Sequence, residues 1–359
     1  MRTLLSISLA LLPPLLPVLA HAAQPAAARV ELAAGPASRA SGPAATATAP
    51  ADGRIVDADV VLVSGQQSGP GLWQVSKAGH VLWILGTVAP VPKKMEWYSP
   101  QAESVLARAQ EIIGPPHIEM TMGAGSMFKA AFAMPTLLRA RKNPDGKTLR
   151  DVLPAELYAR WSALKPTYLG SDKDVEQWRP IFAASALYGA ALKRAGLQSG
   201  TGTSARLRAL TDKYETKYTS TGVKGEIKDP KRLAKSFAGA EVDDIACFRS
   251  VLDQLELDVA NAAQRANAWA QGDMPELRRL FRAGDARSCF EAIAQTEAAR
   301  SLGMGDGTAR AEAQWLRAVD AALASNHTSF ATLPVSQLLQ PNGLLAQLQA
   351  KGYAVVAPE

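Results

Sequence analysis

The stretch LWQVSKAGHVLWILGTVAPVPKKM, residues 72–95, contains two apolar runs joined by SKAGH. Gly79 in this connection can adopt the positive φ of a tight turn, so the stretch predicts a β-hairpin. Its second strand is expected to end near Val88. A strand end of this kind often carries a ligand or a catalytic side chain, but the residue that follows is Ala89, which offers only a methyl group.

The middle of the chain, residues 150–325, has the apolar spacing of helices. The clearest case is one apolar face in alternating steps of three and four residues, which predicts a helix of about seven turns. Its members are Ile245, Phe248, Leu252, Leu255, Val259, Ala262, Ala266 and Trp269. The next helix is expected to begin at an N-cap, Asp273.

Strand character returns at the end of the chain. NGLLAQLQAKGYAVVAPE, residues 342–359, predicts a helix from Leu344, a glycine stop at Gly352 and a last strand through Val356. An earlier short strand is expected through Ile112 and Ile113. Strands at both ends with helices between them predict an α/β (α+β) fold, in which a sheet from the N- and C-terminal segments carries a large helical insertion.

The N-terminus predicts export. Residues 1–22 have one arginine, an apolar run and a small-x-small cleavage pattern, as in a secretory signal peptide. Residues 23–55 are rich in Ala and Pro and predict a disordered tether, followed by a single domain over 56–359. The expected protein is periplasmic or secreted and not membrane-spanning, because no later uncharged segment reaches the ~20 residues of a spanning helix.

Net charge and cysteine content indicate which partners and which cysteine chemistry to expect. The 39 basic and 33 acidic residues give a net charge of +6, spread along the chain, so no nucleic-acid partner is expected. Cys247 and Cys289 are the two cysteines of the chain. In an oxidising compartment they favour a disulfide over a zinc site, which needs more ligands. Trp97 could line a cleft mouth beside Lys93 and Lys94.

Four segments in order resemble the TraB/GumN family, which includes the Tiki proteases. They are the hairpin stretch above, DGKTLRDVLPAELYARW (145–161), WAQGDMPELRRL (269–280) and GLLAQLQAKGYAVV (343–356). The resemblance implies an α/β fold and, in active members, a peptidase that depends on a divalent metal such as Mn or Co. Those members carry two Gly-x-x-His motifs and a glutamate at the end of an early strand.

The chain departs from all three family features. The first motif keeps Gly86 but has Ala89 in place of histidine, and the second falls on residues 334–337, ending in Gln337. Gly114 stands where the glutamate would be. If the fold is that of the family, Ala89 and Gln337 should face each other across a common depression. Because alanine and glycine side chains supply no lone pair, we expect no catalytic residue, no metal and no cofactor at these degenerate positions.

The expected function is therefore that of an exported pseudoenzyme that binds a peptide, a protein or an envelope polysaccharide; the family's link to a gum gene cluster suggests exopolysaccharide physiology. The alternative is an active metal-dependent peptidase or hydrolase with relocated ligands. His80, His117 and Glu119 are the candidates for that relocated site.

Overall fold

The computed structural model describes residues 69–239, 244–281, 299–300 and 305–359. The predicted signal peptide and tether lie outside the described residues. The strands are β1 (Leu72–Lys77), β2 (His80–Thr87), β3 (Val91–Pro92), β4 (Glu111–Ile113), β5 (His117–Thr121), β6 (Leu197–Gln198), β7 (Lys217–Thr219), β8 (Gly222–Glu226), β9 (Thr328–Pro334) and β10 (Ala354–Val356).

The helices form most of the remaining described chain. They are α1 (Pro100–Leu106), α2 (Ala124–Ala140), α3 (Leu149–Val152), α4 (Ala155–Tyr168), α5 (Pro180–Arg194), α6 (Ser204–Lys213), α7 (Pro230–Gly239), α8 (Asp244–Gln271), α9 (Met274–Leu280), α10 (Gly307–Ser325), α11 (Val335–Leu338) and α12 (Leu344–Ala350), with 3₁₀ helices at Pro144–Gly146 and Asp174–Gln177. Within the described ranges, no helix has the length and hydropathy needed to cross a bilayer.

The predicted hairpin is confirmed. Lys77 pairs with His80, which leaves Ala78 and Gly79 as the two turn residues. Their φ angles are 51° and 83°. A two-residue turn with positive φ at both positions matches the right-handed twist of the flanking strands, and glycine adopts that conformation without a steric penalty.

The main sheet has six strands in the order β10-β1-β2-β9-β4-β7. β1 is antiparallel to both β10 and β2, whereas β2, β9, β4 and β7 run parallel to one another. The N-terminal hairpin and the C-terminal strand thus belong to one sheet, which confirms the predicted fold class. The main apolar core covers this sheet and includes Trp73, Ile84 and Phe330.

The strand between β2 and β4 was not predicted. β9 buries every residue from Ser329 to Leu333. A strand that is covered on both faces lacks the alternation of polar and apolar residues that identifies a half-exposed strand. Its sequence therefore shows no two-residue period from which the strand could be predicted. The helical middle also contributes β6, β7 and β8, which were not predicted either.

The long predicted helix is α8, of 28 residues. Seven of the eight predicted face residues are buried, and Ile245 is 37% exposed. The part of the face from Phe248 to Val259 packs on α5 and forms a second apolar cluster with residues such as Trp161. Ala266 and Trp269 belong to the main core. The Asp273 side chain caps α9 by accepting a hydrogen bond from the Glu276 amide at 3.0 Å, as expected.

A buried ionic network joins α5 to α8. The Asp258 and Arg265 side chains are 1% and 4% exposed, and their ion pair measures 2.8 Å. The Tyr188 hydroxyl donates to the other Asp258 oxygen at 2.5 Å. Burial, and then the Asp258 charge, raises the pKa of Tyr188, so the phenol stays protonated and acts as a donor.

Candidate functional site at the carboxyl edge of the sheet

Ala89, Gly114 and Gln337 each follow the carboxyl end of a strand in the main sheet. The three strands are neighbours, so these strand ends lie at one edge of the sheet. Because β2, β9 and β4 are parallel, their carboxyl ends point to the same side. Thr87 pairs with Pro334, so the segments that lead to Ala89 and Gln337 leave β2 and β9 at the same level. Gly114 follows the last residue of β4, on the other side of β9. Ligand sites of open α/β sheets lie at this edge.

Gly86 is fixed by its packing. A Cβ at this position would lie 2.7 Å from Cζ3 of Trp73 and 2.8 Å from Cγ2 of Val335. Both neighbours are buried, at 3% and 0% exposure. The Gly86 carbonyl accepts a hydrogen bond from Nε1 of Trp269 at 2.6 Å. Glycine is therefore needed here by the fold itself, whether or not a metal binds.

Ala89 and Gln337 offer little to a cation. Ala89 is exposed and Gln337 is half-buried. The Gln337 Oε1 atom is buried and accepts no hydrogen bond from the chain as described. The expectation that these two side chains face each other across a depression stays a prediction.

A tyrosine fills the space beside Gly114, the position that the resemblance assigns to the family's glutamate. A Cβ added to Gly114 would overlap the Tyr218 hydroxyl and would lie 2.9 Å from its Cζ atom. Tyr218 lies on β7, which pairs with β4. The Gly114 carbonyl accepts a hydrogen bond from the Thr221 hydroxyl at 3.0 Å, which holds this turn from the other side. A side chain at 114 would have to displace the Tyr218 ring.

The model of the TraB/PrgY/gumN family matches residues 71–357, a range that contains β1 to β10 and all three motif positions. The chain belongs to this family. No curated protein matches it, and neither does any solved structure. The resemblance inferred from the four sequence segments is confirmed.

The residues at the positions that the resemblance assigns to the metal do not fit a divalent ion. Zinc, manganese and related ions need imidazole nitrogens or carboxylate oxygens. At the carboxyl edge, Ala89 supplies none, Gln337 supplies one neutral amide, and Tyr218 fills the space beside Gly114. No metal-assisted step follows from this arrangement.

The alternative ligands are not brought together. His80 stacks on His327 with ring centroids 5.1 Å apart, at the amino edge of β2 and β9. His117 begins β5, beyond the carboxyl end of β4, with Glu119 two residues along the same strand. His80 thus lies at the amino end of the main sheet, whereas His117 belongs to the separate two-stranded sheet of β5 and β8. Across the described ranges, no group of three or more His, Cys, Asp or Glu residues is placed to hold a metal.

The predicted disulfide stays a prediction. Cys247 lies in α8 and is 1% exposed. Cys289 lies outside the described residues.

A cleft of about 550 Å³ opens beside the segment that follows the first motif. Its lining residues are Met95, Glu96, Trp97, Tyr98, Gly202, Ala205 and Arg206. The prediction that Trp97 lines a cleft is confirmed, but Lys93 and Lys94 are not among the lining residues. The cation at the cleft is Arg206 of α6, more than 100 residues away in sequence, so no local pattern could have indicated it.

Aromatic rings hold the Arg206 guanidinium in place. Its Cζ atom lies 5.5 Å from the Trp97 ring centroid and 5.3 Å from the Tyr98 ring centroid. Its ion pair with Glu103 is long, at 3.5 Å, while Lys213 contacts the same carboxylate at 3.0 Å. The hydrogen bond from Lys213 lowers the pKa of Glu103. A guanidinium has five N–H donors, so Arg206 keeps donors for a ligand in the cleft.

The cleft is connected to the motif through two indoles. The Trp97 and Trp269 rings meet edge-to-face with centroids 5.5 Å apart. Trp269 in turn donates to the Gly86 carbonyl. A ligand that moves Trp97 would therefore press on the strand end that carries the first motif.

Proposed function

We propose that this TraB-family chain is an exported, catalytically degenerate protein that binds a peptide, a protein or an envelope polysaccharide. The observation that carries the proposal is that the strand ends leading to Ala89, Gly114 and Gln337 lie at one sheet edge. The resemblance places the metal ligands of active members at these three positions, where this chain has no imidazole and no carboxylate.

The loss of chemistry follows from the loss of ligands. A bound metal ion generates a nucleophile by lowering the pKa of its water, and it polarises the substrate carbonyl. The methyl group of Ala89, the hydrogen of Gly114 and the neutral amide of Gln337 cannot hold such an ion, so neither effect is expected at this edge. Packing around Gly86 explains why the glycine of the first motif persists without its histidine.

Binding is assigned to the cleft beside the motif. Its volume of about 550 Å³ falls within the range of ligand sites, roughly 300–1,000 Å³. The Arg206 guanidinium, held over two rings, suits a carboxylate or a hydroxyl-rich ligand. Export is supported by the charge and hydropathy pattern of residues 1–22.

The catalytic half of the proposal is tested by metal content and turnover. Purified protein should hold far less than one equivalent of metal by mass spectrometry, and added manganese or cobalt should give no turnover of a peptide library. The A89H/G114E/Q337H variant with Tyr218→Ala, which clears space at 114, is the matched attempt to restore metal affinity. Stoichiometric metal in the unmodified protein together with turnover of the peptide library, both removed by His117→Ala or Glu119→Ala, would instead establish the relocated-metal hydrolase.

The binding half is tested with peptide and polysaccharide arrays. Arg206→Ala should weaken binding by roughly 10- to 100-fold, since a hydrogen bond to a charged group contributes about 1.5–3 kcal/mol. Lys193→Ala removes the same charge at an exposed position on α5 and should leave binding unchanged. Equal affinity of the Arg206 variant and the unmodified protein would exclude the cleft as the site.

A further inference from the structure

The outer face of α2 exposes large apolar side chains. Met127, Phe128, Phe132, Met134 and Leu138 are 48%, 73%, 69%, 41% and 45% exposed. The Phe128 and Phe132 rings contact each other edge-to-face, with centroids 5.5 Å apart. At 3.6 residues per turn, the five positions occupy an arc of about 160°. Exposed large apolar side chains grouped on one helix face are typical of an interaction site.

The opposite face of α2 is already covered. Ala133 and Ala140 are buried, and the helix packs on α7. The exposed arc is therefore not a face that core packing left incomplete. We call it the α2 apolar face, defined by the five residues above.

The segments that contain α2 and the helix packed on it are basic. Residues 122–148 and 226–239, which contain α2 and α7, hold nine basic and three acidic side chains, a net charge of +6. The whole chain also nets +6, so the rest of the sequence is neutral. Eight of the nine basic residues are exposed: Lys129, Arg139, Lys142, Lys147, Lys228, Lys231, Arg232 and Lys235.

This combination selects among the possible occupants. In a dimer formed through this face, the α2–α7 region of one copy, with a net charge of +6, would approach the same region of the other copy. Charges of the same sign repel each other. A neutral apolar partner would leave the basic residues without a counter-charge. An anionic bilayer accommodates both features, because the apolar side chains enter the headgroup and acyl boundary while Lys and Arg contact phosphates.

We propose that α2 docks the protein on an anionic phospholipid surface, with Phe128 and Phe132 inserted and Lys129 and Arg139 of the same helix beside the headgroups. The helix has 17 residues and does not qualify as a membrane span, so it lies in the plane of the interface. This inference concerns a different surface from the cleft and does not depend on the proposed function.

Vesicle co-sedimentation of the full chain tests the proposal. Phosphatidylglycerol–phosphatidylethanolamine vesicles should bind the protein, whereas pure phosphatidylcholine vesicles should bind it at least about tenfold more weakly. The double variant F128S/F132S should reduce partition to the anionic vesicles by at least about tenfold. K129E/R139E should reduce it by at least about 25-fold, at roughly fivefold for each positive charge lost.

Matched control variants test whether loss of any exposed apolar side chain, or of any exposed positive charge, would weaken vesicle binding equally. Val356→Ser removes an apolar side chain that is 58% exposed on β10. The pair K173E/K193E reverses exposed charges remote from α2 in sequence. Both controls should bind like the unmodified protein. Because every preparation carries the same N-terminus, binding through residues 1–22 would be equal in all of them.

A direct readout locates the contact. Phe128→Trp should add fluorescence that brominated phospholipids quench, over the background of the native tryptophans. Partition that is unaffected by F128S/F132S, or no added quenching at position 128, would overturn the proposal. A concentration-dependent dimer that F128S/F132S abolishes, without vesicle binding, would overturn it in favour of a second copy. Binding of an acidic protein through this face, without vesicle binding, would also overturn it.

Discussion

Gly86→Ala should destabilise the protein because three side chains already occupy the space of the new methyl group. The added Cβ would lie 2.7 Å from Trp73, 2.8 Å from Val335 and 3.2 Å from Leu338, where ordinary contacts begin at 3.4 Å. The nearest atoms must therefore retreat by about 0.7 Å inside the core. Overpacking of this kind costs about 1–3 kcal/mol.

Part of that cost is offset in the unfolded chain. Replacing glycine by alanine reduces the entropy of the unfolded state and stabilises by about 0.4–1 kcal/mol. The net loss in the free energy of unfolding should be about 1–2 kcal/mol, with a fall in Tm of roughly 2–5 °C. Urea denaturation followed by tryptophan fluorescence measures the change.

Gly189→Ala is the matched control. Gly189 is an exposed glycine within α5, and a Cβ there would meet nothing within 4 Å. This variant should gain about 0.5–1 kcal/mol, because glycine disfavours a helix interior. If Gly86→Ala were as stable as Gly189→Ala, packing would not explain why the motif keeps its glycine.

Three further predictions concern the helices. Asp258→Asn leaves the Arg265 charge buried without its counter-charge and should cost about 3–5 kcal/mol by urea denaturation; a loss below ~1 kcal/mol would contradict this account of the pair. Cys247 and Cys289 should be bridged, so thiol labelling of unfolded, unreduced protein should find no reactive cysteine, and two labelled thiols would refute the bridge. Asp273→Ala should cost about 1 kcal/mol through loss of the α9 cap, and an unchanged urea midpoint would show that the cap contributes nothing.

Features set by neighbouring residues were predictable from the sequence. The turn at Gly79, the buried face of α8 and the cap at Asp273 each depend on a few residues close together in the chain. Local propensity and period act over that range, so the pattern and the structure agree. Ile245 is the exception. It lies in the first turn of α8, where the helix extends beyond the elements that bury the rest of its apolar face.

Residues of the candidate site could be predicted only where a segment of the chain resembled a motif of the family. Gly86, Ala89, Gly114 and Gln337 were identified through the resemblance to the TraB/GumN family, and the parallel strands place the segments that carry them at one sheet edge. Tyr218, which fills the space beside Gly114, carries no such signal. It reaches the site because β7 pairs with β4 across 100 residues of helical chain.

The sequence by itself determined the hairpin, most of the helical middle and the closing strand, since each follows from the local spacing of apolar and turn residues. Tertiary structure alone decided the place of β9 between β2 and β4, the partners of Gly86 and the cleft beside Arg206. The physical reason is that strand pairing and core packing join segments far apart in the chain. A buried strand shows no period, and a cleft formed by two distant segments leaves no pattern in either one.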